Sequence, residues 1–154
     1  MRRLCYILPS LALLALGACS TADCDDNRNS LPLADFYSEG QRVMLSGLTV
    51  YGDGAPGDSL LLEDAQNVDE LYLPFRITEG NTTFVLDFGG SSDEITFTYE
   101  LQPRFASSEC GVVYDYKISN ITHTSELIDS VTCPGGVITN APGVNIHIYL
   151  KPQP

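Results

Sequence analysis

The sequence predicts an all-β fold, a single antiparallel β-sandwich (immunoglobulin-like or related) of eight or nine short strands. Three observations predict it. Apolar residues recur at every second position in several segments, the mark of a strand with one buried face. Clusters of Gly, Pro, Asn and Asp separate these segments at short intervals, as chain reversals require. No stretch repeats its apolar residues at the period of a helix.

The first strand pattern is the weaker one, over 31–37. The next spans 43–51, where the apolar parity shifts from Val43 and Leu45 to Leu48 and Val50, so a bulge is expected at Ser46-Gly47. Strands at 59–63, 70–75 and 82–88 follow, with "EDAQNVDE" (63–70) between two of them as a loop. "ITFTYEL" (95–101) turns Ile95, Phe97, Tyr99 and Leu101 to one face and Thr96, Thr98 and Glu100 to the other. "CGVVYDYKI" (110–118) repeats the alternation through Val112, Tyr114, Tyr116 and Ile118. After a strand at 126–132, "VNIHIYL" (144–150) turns Val144, Ile146, Ile148 and Leu150 inward and Asn145, His147 and Tyr149 outward. The reversals are "GDGAPGD" (52–58), "EGN" (79–81), "GGSSD" (89–93), "CPGG" (133–136) and "NAPG" (140–143). The Cys…Trp…Cys signature of true immunoglobulin domains is missing, because the chain has no tryptophan.

Residues 1–18 predict an export signal. Arg2 and Arg3 give a positive start, and Leu4 to Ala18 continue without a charge. That run is too short to span a bilayer, which takes about 20 apolar residues. Leu16-Gly17-Ala18-Cys19 resembles the lipobox of bacterial lipoproteins, in which the cysteine is acylated and becomes the first mature residue. On that resemblance Cys19 is the lipid anchor, and buried acyl chains at about 0.8 kcal/mol per methylene make such an anchor stable. Ser20 in place of Asp after the cysteine implies the outer membrane, and Asp23, Asp25 and Asp26 tip the reading toward the cell surface over the periplasmic face. Residues 19–30 form an acidic tether, leaving 31–154 for one β-sandwich domain.

Removing residues 1–18 leaves 136 residues with six basic against twenty acidic side chains, a net charge of −14. Nucleic-acid binding draws on Lys/Arg patches, which this chain lacks, so no nucleic-acid partner is expected. Of five cysteines, Cys5 leaves with the signal and Cys19 carries lipid. Cys24, Cys110 and Cys133 remain in a compartment that permits disulfides. Three cannot all pair within one chain. Cys24–Cys110 is the favoured bridge, tying the N-terminal segment to a strand start, with Cys110–Cys133 as the rival.

Several segments together resemble a family of small, uncharacterised lipoproteins of Gram-negative bacteria built around a domain of unknown function. They are the lipobox with nearby Cys24, "LTVYGDGAPGDSLLL" (48–62), "LYLPF" (71–75), "ITFTYEL", "ECGVVYDYKI" (109–118) and "ITNAPGVNIHIYL" (138–150). The resemblance supports pairing Cys24 with Cys110, leaves Cys133 as an unassigned thiol, and implies no activity.

Candidate chemistry is sparse. Asp53, Asp58, Glu63 and Asp64 match no calcium-loop spacing, and a solvated turn explains them. No pair of histidines and cysteines has zinc spacing. No metal or cofactor is expected. His123 and His147 are the only histidines, and no nucleophile-elbow motif accompanies them. Asp93 and Glu94 are adjacent and so face opposite ways, which does not suit an acid–base pair. Asp58-Ser59-Leu60 and Asp129-Ser130-Val131 resemble short O-glycosylation acceptors of some Gram-negative envelopes. Tyr72 and Tyr149 are the candidate ligand-binding residues, although aromatic side chains also favour strands for their own sake. The expected function is therefore a non-catalytic binding or envelope-structural module, held in the membrane by its lipid and partnered by an envelope protein or a glycan. The alternatives are a glycan-binding accessory of an uptake system and, behind it, a small envelope hydrolase. An exposed cluster around Tyr72 and Tyr149 would favour binding; a uniformly acidic face would favour a passive role.

Overall fold

The computed structural model describes residues 31–54, 59–108 and 111–152. The residues of the expected signal, anchor and tether, and of the expected Cys24–Cys110 bridge, lie outside the described residues. Eleven strands are found among them: β1 (Leu33–Ser38), β2 (Gln41–Arg42), β3 (Leu48–Gly52), β4 (Ser59–Ala65), β5 (Glu70–Tyr72), β6 (Asn81–Asp87), β7 (Ser92–Ser107), β8 (Gly111–His123), β9 (Ile128–Thr132), β10 (Val137–Ile138) and β11 (Ile146–Leu150). The fold is all-β, and no described residue is helical. Two more strands are present than the periodicity predicts. The additions, β2 and β10, have two residues each, too few to show a period.

The strands form two sheets. One has the order β2-β1-β11-β9, with β5 sharing the free edge of β1 beside β2; the other has the order β10-β8-β7-β6-β3-β4. Every pairing is antiparallel except one, the parallel pair of β1 with β11. A parallel pair needs a crossover connection, and here nearly the whole domain provides it. Asn145 sets the register where β11 begins: its side-chain oxygen accepts from Leu33 N at 3.0 Å, and its own N–H donates to Leu33 O at 3.0 Å.

The bulge expected at Ser46-Gly47 is instead a passage between sheets. Gly47 has a φ of 73°, an angle that side chains disfavour, and the chain leaves the β2 sheet there to enter β3 in the other. Leu45 and Val68 exchange backbone hydrogen bonds of 2.9 and 2.8 Å, so the returning chain between β4 and β5 crosses alongside. The parity shift was a change of sheet.

Inward faces of both sheets meet in one core. Ala34, Phe36, Ile146 and Ile148 from the first face Val50, Phe84, Leu86 and Phe97 from the second. Phe75, after β5, packs against Phe97, Tyr99 and Tyr116, with ring centroids 4.9, 4.8 and 5.2 Å away. Burial pushes the Tyr116 phenol up to about 12. The alternation expected of 95–101 holds, with Ile95, Phe97 and Tyr99 buried. That of 110–118 holds only in part. Val112 is 52% exposed while its neighbour Val113 is fully buried. Val112 and its partner Phe105 lie beyond Tyr116 and Leu101 along the β7–β8 hairpin, outside the core cluster, and are exposed on the face opposite Val113.

Asp93, fully buried at the start of β7, joins the two sheets. Its Oδ1 accepts from the Thr124 hydroxyl at 2.7 Å and Glu126 N at 2.8 Å, and its Oδ2 from Leu127 N at 2.7 Å and Ile128 N at 2.8 Å. Burial alone would raise its pKa. The four hydrogen bonds outweigh burial and hold the carboxyl below its ordinary value.

Candidate functional site

The first sheet turns its other face away from the core, and the register decides which residues meet there. Asp35 lies opposite His147 and Tyr37 opposite Tyr149 across the β1–β11 pair. Arg42 of β2 lies opposite Tyr37, while Thr132 and Ser130 of β9 lie opposite His147 and Tyr149. A register shift after Tyr149 turns both Ile128 and Val131 inward and leaves Ser130 outward. The tight β1–β2 turn places Arg42. Its two central residues, Glu39 and Gly40, have φ of 51° and 77°, the left-handed pair that matches strand twist in a two-residue hairpin.

Asp35 is the centre of this face. It is 3% exposed, a depth that a carboxylate tolerates only with partners. His147 Nδ1–H donates to Asp35 Oδ1 at 2.6 Å, and Arg42 Nε approaches Oδ2 at 3.6 Å. Arg42 also reaches Glu70 Oε1 at 2.7 Å and Asp69 O at 3.3 Å. The guanidinium pKa rises chiefly through the Glu70 hydrogen bond. Burial, and then the Asp35 carboxylate, raise the pKa of the Tyr37 phenol.

Three rings stand together above this ion pair. Tyr37 and Tyr149 are stacked with centroids 5.4 Å apart, and His147 meets Tyr37 edge-on at 5.4 Å and Tyr149 at 6.4 Å. Two rings that close cannot lie side by side in one plane, so their faces overlap and they rise from the sheet as a row. With Nδ1 committed to Asp35, Nε2 is the ring nitrogen His147 has left, on a side chain 24% exposed. A hydrolytic triad would need a nucleophile bonded to that histidine, and no Ser, Thr or Cys side chain among the described residues hydrogen-bonds His147.

The structure separates the two tyrosines singled out from the sequence. Tyr149 belongs to the row. Tyr72 is 58% exposed on β5 but lies opposite Leu33, four positions along β1 from Tyr37, or about 13 Å at strand rise. Cys133 is half-buried and free, so the rival Cys110–Cys133 bridge is not formed; burial raises the thiol pKa. Cys19, Cys24, Cys110 and Asp58 lie outside the described residues. Glu94 is exposed while Asp93 is buried, on opposite faces of β7. His123 Nδ1 contacts the carbonyl of Thr124 at 2.6 Å, away from the row. Ser59 is exposed at the start of β4. Among the described residues no group of three His, Cys, Asp or Glu could hold a metal ion, and no helix is long and apolar enough to cross a membrane.

Sequence reasoning missed Asp35, Tyr37 and Arg42. A carboxylate inside the apolar run "LPLADFY" was the available signal, since an acid in a buried strand must find a cation or donor.

A family model matches residues 47–150, which run from just before β3 to the end of β11. The chain belongs to that family, a family of unknown function (DUF6452). This agrees with the resemblance to a family built around a domain of unknown function. No curated protein and no solved structure matches the chain.

Proposed function

We propose that this member of the family is an outer-membrane-anchored lipoprotein whose β-sandwich is a non-catalytic binding module. Its binding face is the outer side of the β1–β11 sheet. One observation carries the second half of this reading: the row Tyr37–His147–Tyr149 on an outward face, organised by the buried Asp35 and its Arg42 partner. Grouped rings with a few placed polar atoms are what a recognition surface requires, and strand formation alone gives no reason to group them. The second sheet's outer face differs. There Asn81, Thr98 and Asn120 lie in register, as do Thr83, Thr96 and Thr122, with Thr83 and Thr96 hydrogen-bonded at 2.8 Å.

The address rests on the sequence: the lipobox ending in Cys19, Ser20 after it, and the acidic residues that favour the cell surface. A partner in the envelope, either a protein or a glycan, follows from that address. Fractionation tests the anchor, because Cys19→Ala should move the protein out of the outer-membrane fraction, and retention there would refute lipid anchoring. Protease shaving of intact cells beside permeabilised ones tests the face. Digestion in intact cells is expected; protection until permeabilisation would put the domain on the periplasmic side.

A further inference from the structure

The row of rings ends abruptly at β9, and that end is the more informative part of the face. Tyr37 has Tyr149 on one side and Arg42 opposite it on the other. Among the described residues, Tyr149 has a stacked ring on one side only, that of Tyr37. On its other side the register places Ser130, with Thr132 next to it beside His147. Tall side chains on β11 therefore drop to short hydroxyl side chains on β9. Among the described residues no further strand lies beyond β9 in its sheet, so the step opens at the edge of the described sheet.

Among the described residues no cation stands free at this step, because Arg42 is shared between two carboxylates. The Asp35 carboxylate has His147 on one oxygen and Arg42 near the other, with Glu70 on the far side of Arg42. With Asp35 nearly buried, this group offers a ligand no free cation to pair with an acid. It offers the outer ring face of Tyr149, two small hydroxyls and a histidine ring edge. A ligand that fits has an apolar ring face to lay on the tyrosine and hydroxyls around its rim to reach serine, threonine and imidazole. An uncharged pyranose has both, since its axial C–H groups form an apolar face and its hydroxyls lie equatorially around it.

We propose that the step formed by Tyr149 and His147 over Ser130 and Thr132 is the seat of one sugar ring of a neutral glycan. This rests on the binding-module reading and deepens it by naming the ligand class and the occupied side of the row.

The test uses the full chain with Cys19→Ala, which carries no lipid, on a printed array of neutral and acidic glycans. Retained glycans are then titrated calorimetrically. Retention of at least one neutral glycan is expected. Tyr149→Ala should weaken its binding by about tenfold or more. Ser130→Tyr, which fills the step while keeping a good strand former, should do the same with its melting temperature held close to that of the parent. Tyr72→Ala should leave binding unchanged. Full-strength binding by Ser130→Tyr overturns the assignment of the step. Retention of acidic glycans alone, or of no neutral glycan, overturns the ligand class. The same protein, fluorescently labelled and applied to cells lacking the native one, separates this failure from that of the broader reading. Saturable labelling that Tyr37→Ala or Tyr149→Ala abolishes keeps the binding face and discards the sugar; absence of such labelling discards both.

Discussion

Asp35 and Asp93 are both nearly inaccessible to water, yet they do opposite things for the molecule. Asp93 takes three of its four hydrogen bonds from consecutive backbone N–H groups at residues 126–128, with the fourth from the Thr124 hydroxyl. It holds main chain to main chain at the joint between sheets. Asp35 takes its contacts from two side chains on neighbouring strands, His147 and Arg42, and what it holds in place is a surface. A carboxylate paired with backbone fixes where the chain goes, whereas one paired with exposed side chains fixes how they are presented. Burial alone does not tell the two apart; the identity of the donors does.

The largest expected effect tests the structural half of this contrast. Asp93→Ala strands three backbone donors and a hydroxyl at a buried joint, each costing about 1–3 kcal/mol if left without a partner. A loss of about 3–5 kcal/mol is expected in denaturant unfolding, allowing water to reach some of them. A loss under about 1 kcal/mol would mean that the joint is held elsewhere. Because the folded pKa of Asp93 is depressed, its stabilisation is fully present above the ordinary value of 3.8. It fades as pH falls through the lower folded value. The parent should therefore lose stability more steeply than the variant on acidification below about pH 4.

Asp35→Ala should cost less, about 1–2 kcal/mol. Its removal frees His147 and Arg42, whose side chains are 24% and 42% exposed and can turn to water. The effect on the face should be larger than the effect on the fold. The imidazole loses the contact that fixes its proton on Nδ1, so a change in the His147 ring nitrogen shifts by NMR is expected with little change elsewhere. If Asp35→Ala destabilises as much as Asp93→Ala, the contrast between the two carboxylates collapses.

Legibility from the sequence followed the range of the interactions. Strands such as 95–101 and 144–150 were readable because alternation is a local consequence of one buried face. His147 and Tyr149 were correctly turned outward for the same reason. The parallel pairing of β1 with β11 was not readable, because it joins segments 112 residues apart at Asp35 and His147. Without that pairing nothing connects Tyr37 to Tyr149, so the row of rings was hidden while two of its three members were visible. Tyr72 failed for a related reason: exposure was foreseeable, but the strand beside which it would lie was not. Val112 misled because the alternation rule assumes a strand that stays over the core, and the β7–β8 hairpin continues past it.

The smallest predicted effect sharpens the contrast by strengthening Asp35's support instead of removing it. Glu39 occupies a left-handed position in the β1–β2 turn, with φ of 51°. That conformation costs an ordinary L-residue about 1–2 kcal/mol, and Asn accepts it more readily. Glu39→Asn should therefore stabilise by about 0.5–1 kcal/mol while preserving the pairing of Tyr37 with Arg42. The gain should be nearly the same in the Asp35→Ala background, because the turn strain is local to Glu39 and Gly40. A clearly smaller gain there would show that the turn and the carboxylate are coupled through Arg42. The hairpin and the ion pair would then have to be treated as one device for holding the guanidinium over β1.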